Sequence, residues 1–448
     1  MRLKIFLILI FSFCLTRSPV FGQSDRAAAI NLEKAIGLAL KNNERILMAS
    51  NDVQDAHAQI REAWAEALPD ITFNGLYTRN FKQQVIFLPE IIFVPGGDPD
   101  KQIPVTFSSK NAYAFTLHVE QPLFQAGKVS GGIKAANLYK KFSNQGYRAV
   151  RGDLVLSVKR AYYTVQLNEQ LLEINQQSLD QQLANLENTR KLFEQGQVSE
   201  LDTLRAWVDY INLQPRLIQM ENNLRISKNR LKELIGLDLN DPIQLIDELY
   251  FEETNGITFE QIEQEALRNR PELKQLEFQS NILKHNIGII RADHLPKLYL
   301  SGTYQSVAQS NRFDFGEGLQ SSISGAIRLE VPIFKGFRTS ARVQRAKLDY
   351  KNSKFQLEMF RDNLKIEVNS ILLKLKEAKK RVQVQQNAIK QAERALFMSE
   401  RRYIEGVGTQ LELGDSLLAL NITKTNYVQA VYDHKIALAE LNKVIGRE

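Results

Sequence analysis

The chain is written twice, and nothing else in its 448 residues restricts the fold as much. "ALKNN" at 39–43 faces "ALRNR" at 266–270, and "ALPDITF" at 67–73 faces "HLPKLYL" at 294–300; both pairs stand 227 positions apart. Further along, Pro122-Leu123-Phe124 matches Pro332-Ile333-Phe334, Gly196 matches Gly406, and "KELIG" at 232–236 matches "NKVIG" at 442–446, all at an offset of 210. The 17-position change in offset falls between the two prolines of each half, so one hairpin-like segment of the first half carries an insertion. A repeat this long has to be recognised before any fold class is assigned.

Within each half the long segment is helical. Val158, Val165, Leu172, Leu179, Leu186 and Phe193 recur every seven residues, and their duplicates are Val368, Leu375, Val382, Ile389, Leu396 and Tyr403. A seven-residue apolar seam kept this long means coiled-coil packing. Its companion positions, Leu154 and Ala161 and then Asn168, Asn175 and Gln182, are mixed, as expected of a flank that meets water. Residues 128–194 and 338–404 each give a helix of 67 residues, roughly 100 Å at ~1.5 Å per residue. Gly196 and Gly406 break these helices, as glycine does just past a helix end. Shorter helices follow at about 199–235 and 409–445, and others precede Pro69 and Pro296. Placed end to end, the two short ones match the long one, so each half supplies one continuous and one composite column. Pro215 is expected to bend the helix that contains it.

Between the prolines the period changes to two. Tyr113, Phe115, Leu117 and Val119 alternate with Ala112, Ala114, Thr116 and His118; Ile323, Gly325, Ile327, Leu329 and Val331 alternate with Ser324, Ala326, Arg328 and Glu330. Strands are predicted at about 70–80, 112–121, 297–306 and 322–331. Their length and alternation suit a tilted membrane strand, apolar outward and polar inward. Pro69, Pro122, Pro296 and Pro332 are helix–strand junctions, because a helix does not run comfortably past the residue before a proline and a proline suits a strand end. Four strands do not close a membrane barrel, for which about eight is the minimum. An open edge in lipid leaves backbone groups unpaired at several kcal/mol each, so copies of the chain must assemble.

The start reads as a secretory signal over residues 1–22: Arg2 and Lys4, an apolar run from Ile5 to Leu15, then small residues at Val20 and Gly22 before Gln23. Cys14, the only cysteine, lies inside it; Phe13 is too bulky for a lipidation site, which favours simple cleavage and leaves a mature chain without thiols. Residues 1–22 hold three basic and no acidic residues, so the formal charge of +7 falls to +4, too weak a balance for a nucleic-acid partner. His57, His118, His285, His294 and His434 form no metal-ligand spacing. "GVGTQ" at 406–410 lacks the lysine of a phosphate loop, and no nucleophile–base set stands out. The expectation is no enzyme, no metal and no cofactor. The insertion contains "VIFLPEIIFVPGG" at 85–97, strongly apolar for a loop; it either extends the strands, folds over the mouth, or packs on itself.

With its duplicated strand-Pro-[Leu/Ile]-Phe-helix junctions, "EQGQVSELDTLRA" at 194–206 and "EGVGTQLELGDSLLA" at 405–419, the chain resembles the TolC-like outer-membrane efflux protein family over nearly all of its mature length. The resemblance implies a mainly α fold with membrane β: a duplicated unit of long coiled-coil helices plus two β-hairpins. Three copies would form a trimeric 12-stranded β-barrel continuous with a 12-column α-helical tunnel. It implies an outer-membrane location with the tunnel in the periplasm, a homotrimer, outer-membrane lipid, a periplasmic adaptor (membrane fusion protein) and an inner-membrane transporter. Repeats at 23–236 and 258–448 would flank an equatorial linker at 237–257. The tip turns Gly196, Val198, Gly406, Gly408 and Thr409 would meet the adaptor. Glu412 and Asp415, three apart at a helix start, would narrow the periplasmic gate, with Asp202 and Arg205 at the duplicate positions. Six such carboxylates around an axis would attract cations and raise some of their pKa values by repulsion. The bare sequence also allows an ordinary helix-start role, since acidic side chains favour helix N-termini. The function implied is a passive exit duct of an efflux system. The rivals are a duct for type I protein secretion and a non-conducting periplasmic coiled-coil scaffold.

Overall fold

A computed structural model describes residues 28–253, 258–315 and 318–447. The leader with Cys14, and positions 254–257 of the linker, lie outside the described residues. Four antiparallel strands form one sheet in the order β2 (Asp70–Arg79), β5 (Asn111–Phe124), β7 (Lys297–Ser310), β8 (Gln320–Glu330). Pairing makes the pleat coherent: Phe73 faces Leu117, Leu117 faces Tyr304, and Tyr304 faces Ile323, so the apolar residues share one face. The other face is polar. There His118 Nδ1 is 2.9 Å from Thr303 Oγ1, and Arg328 donates to both Glu120 oxygens at 3.1 and 3.0 Å while stacking over Tyr299. This is the two-sided pattern of a barrel wall between lipid and an aqueous lumen. In the single chain the sheet is an arc, with β2 and β8 as open edges.

Helices leave the sheet at one end only. α3 (Lys128–Glu194) follows β5 and α7 (Arg338–Ile404) follows β8, each of 67 residues. The composite columns are α2 (Glu44–Ala65) with α4 (Glu200–Ile235), and α6 (Pro271–Arg291) with α8 (Gln410–Val444). Packing contacts order the columns as α2/α4, α3, α6/α8, α7. Two consecutive left-handed residues turn each strand into its long helix, Ala126-Gly127 in one half and Gly336-Phe337 in the other. A small belt forms at mid-height, where α1 (Leu32–Asn42) and α5 (Phe259–Asn269) pack on the columns and β1 (Ala28–Ile30) pairs in parallel with β6 (Ile243–Leu245). Among the described residues no helix is long and apolar enough to cross a membrane, a statement that does not bear on a β-barrel.

Two details depart from the sequence reading. β5 runs through Pro122 to Phe124 instead of stopping. Beyond Glu120 it has β7 as its only neighbour, and a bulge between Pro122 and Phe124 absorbs the missing donor, the edge setting in which proline is tolerated. Asn175 and Gln182 on the mixed seam are buried, not bathed in water, because α4 and α8 both pack against α3. Of the alternatives left open for the insertion, it packs on itself: β3 (Val85–Pro89) and β4 (Gln102–Thr106) form a separate two-stranded ribbon beyond the end of the sheet remote from the helices, and Lys101 and Glu90 pair at 2.6 Å across it.

Candidate functional site at the helical tip

Each long helix ends at a left-handed glycine, Gly196 (φ +73°) or Gly406 (φ +76°). In both, the N–H of the next residue bonds back to the helix: Gln197 to Leu192 O at 2.9 Å, Val407 to Arg402 O at 3.0 Å. With the glycine N–H on Phe193 O and Tyr403 O, this satisfies the last carbonyls. The returning helices are capped at once. Ser199 and Asp202 form a reciprocal capping box on α4, and Thr409 accepts from Glu412 N on α8. Gly408 is forced by space: a Cβ there would lie 2.9 Å from Arg402 Cβ and 3.0 Å from Arg402 C. Val198 packs on a core of Leu396, Tyr403, Leu413, Leu417 and Leu420, so the first hairpin's turn rests on the second hairpin.

The four gate candidates do not converge as a set. Glu412 turns toward its own hairpin, 3.8 Å from Arg402, whose guanidinium also donates to Val407 O at 3.2 Å. The Asp202 carboxylate is engaged by Ser199 N and Oγ at 3.1 and 2.6 Å. Asp415 and Arg205 do come together, as walls of a cleft of about 760 Å³ between α4 and α8, floored by Ser178 and Gln182 of α3.

A third charged group shares that cleft and is absent from the sequence-based set. Asp209 lies against the second hairpin, where a Cβ on Gly414 would come within 3.2 Å of its Oδ2. Burial first, and the charge of Asp415 second, push the Asp209 carboxyl above the ordinary aspartate range. The signal for it was available: Asp202, Arg205 and Asp209 follow the i, i+3, i+7 spacing of one helix face. Behind the cleft, the Tyr403 hydroxyl is 3.1 Å from Thr189 Oγ1, which donates to Asn185 O at 2.9 Å; burial raises the Tyr403 pKa. Through these contacts the two hairpins touch by polar groups in a packed setting.

A partial barrel wall carried on paired rods defines the class: a membrane-anchored helical duct completed by assembly. Comparison with known proteins agrees. The family model described as "Outer membrane efflux protein" matches residues 35–237 and 262–447, once per repeat, and the chain belongs to that family. It is 23% identical to the outer membrane protein TolC of Vibrio cholerae over 94% of this chain and 92% of that protein. It is 23% identical to the alkaline protease secretion protein AprF of Pseudomonas aeruginosa over 75% and 70%. The fold matches that of CusC (TM-score 0.77, 19% identity, 96% of each chain covered). It likewise matches the Campylobacter jejuni CmeC outer membrane channel (TM-score 0.78, 18% identity, 93% and 85%). The protein is thus an outer-membrane efflux duct and not an enzyme.

Proposed function

We propose that three copies assemble into a closed barrel and tunnel, and that the duct is a passive exit opened and closed at its helical tip. Support comes from one observation above the rest: a four-stranded sheet with two open edges, which lipid does not tolerate, carried on columns whose outward faces are also unpartnered. Leu348, Phe355, Ile366 and Leu373 on α7, and Trp207, Ile211 and Ile218 on α4, are exposed at heptad-like spacing on the two outer columns. A transporter in the inner membrane, joined by a periplasmic adaptor at the turns around Gly196, Val198, Gly406, Gly408 and Thr409, supplies substrate and energy. The gate is the cleft that holds Asp415 and Arg205; Glu412 and Asp202 stand outside its lining as helix-start carboxylates.

The test is conductance in planar bilayers. Glu412→Ala with Asp415→Ala is expected to raise tip-limited conductance and weaken cation preference. Unchanged conductance and selectivity would remove the gate assignment. A second reading, a protein-secretion duct, is favoured by the likeness to AprF. Affinity capture of the inner-membrane partner separates the two.

A further inference from the structure

The sheet's open edges carry a built-in template for the contact that covers them. Under the repeat offsets, every β2–β5 pair lands on a β7–β8 pair. Asp70↔Glu120 becomes Lys297↔Glu330, Gly75↔Phe115 becomes Gly302↔Gly325, and Arg79↔Asn111 becomes Ser306↔Ser321, with all ten pairs obeying the rule. The two hairpins are therefore equivalent pair for pair, not merely similar. β5–β7 is the junction between one repeat and the next. In a closed ring, the junction from β8 to β2 of the following copy is that same junction again.

Resting on the trimeric reading above, we infer that β8 pairs antiparallel with β2 of the partner subunit in the register transposed from β5–β7. Leu117↔Tyr304 then gives Ile327 opposite Tyr77 of the partner subunit, and Val119↔Gly302 gives Leu329 opposite Gly75 of the partner subunit. Gln121↔Leu300 gives Val331 opposite Phe73 of the partner subunit, and Phe124↔Leu298 gives Phe334 opposite Ile71 of the partner subunit. Each of these side chains other than glycine is an exposed apolar group in the single chain. A slip of one residue would place Arg328 and Glu330 on the apolar face, which excludes it. A slip of two keeps the faces but breaks the equivalence that the two hairpins obey. On the lumen side, Arg328 takes the place of His118 and meets Leu76 of the partner subunit in place of Thr303. The seam so lacks the His118–Thr303 bond, and Arg328 keeps its partners Glu120 and Tyr299 within its own chain.

Directly opposed residues have Cα atoms about 4.5–5.5 Å apart, within disulfide reach, while a two-residue step along a strand adds about 6.6 Å of offset. In a Cys14→Ser background, Ile327→Cys is combined with Phe73→Cys, Gly75→Cys, Tyr77→Cys or Arg79→Cys in the full-length chain, and outer-membrane fractions are oxidised. Covalent inter-subunit species are expected to peak at Tyr77→Cys, at least about fivefold above its two neighbours. Val331→Cys with Phe73→Cys gives an independent positive pair should Tyr77→Cys disturb folding. A maximum at another β2 position, or no cross-link in a particle that is trimeric by mass, overturns the register. A particle of wild-type sequence that is monomeric by mass overturns the trimer itself.

Discussion

Asp209 of the first hairpin lies so close over Gly414 of the second that a methyl group on the glycine would come within 3.2 Å of its carboxylate. The charge of Asp415, across the cleft, acts on that carboxylate. Where the two hairpins meet, the Asp209 carboxyl therefore holds its proton more tightly than an ordinary aspartate.

The sign of the pH response follows. Asp209 has a pKa raised in the packed arrangement, so protons bind that arrangement more tightly than one with the hairpins apart. Acidification favours the closed tip, and the effect fades as pH rises through the raised pKa. Conductance is expected to fall as pH drops toward the carboxylate range. Asp209→Asn should be less conductive at neutral pH and flat across the titration. A pH profile in bilayers identical for the two proteins would refute this.

At the tip turns the glycines are not interchangeable. Gly196 needs only its left-handed backbone, so Gly196→Ala should cost about 1 kcal/mol. Gly408→Ala drives a Cβ against the backbone of Arg402 and should cost about 1–3 kcal/mol, with the α7–α8 turn cleaved faster by protease. Equal cleavage rates for the two variants would contradict the close approach.

Tyr403→Phe removes one hydroxyl from the buried pair with Thr189, which retains its bond to Asn185 O. A loss of about 0.5–1.5 kcal/mol is expected, read as a lower unfolding midpoint for the tip by hydrogen exchange. Protection unchanged in residues 186–193 and 396–403 would show that the pair contributes nothing.

Away from the tip, His434 is fully buried on α8 with neither ring nitrogen hydrogen-bonded, edge-on to Phe251 at 4.9 Å. Burial, then Lys435 and Lys379, hold its pKa below the ordinary value, against a smaller opposing effect of Glu252. A base depressed in the folded state adds nothing at high pH and loses stability as pH falls below its unfolded pKa of about 6.5. Melting temperature should drop below that pH, and His434→Leu should remove that part of the drop. A mutant with the same pH slope as the parent would exclude His434 as the source.

Architecture was legible because two periods and one repeat are global signals. The sevenfold seam and the alternation at 113–119 and 323–331 each average over many residues, so single exceptions do little harm. What escaped was pairwise. That Pro122 sits inside β5 depends on β2 ending opposite Glu120, which only the register reveals. Burial of Asn175 and Gln182 depends on how α4 and α8 lean over α3, which no periodicity in α3 encodes. At the tip, Glu412 and Asp415 share a helix face in sequence, yet Arg402 draws one toward α7 while the cleft takes the other. Asp209 gained its role from Gly414, a contact 205 residues distant.

The β3–β4 ribbon belongs to one repeat and has no counterpart among the described residues of the other. A wall built from six near-equivalent hairpins would therefore carry only three crests at its outer rim. A bulky probe such as an antibody fragment against the ribbon should saturate at three per assembled particle. The ribbon is also where an epitope tag can be placed without touching the wall.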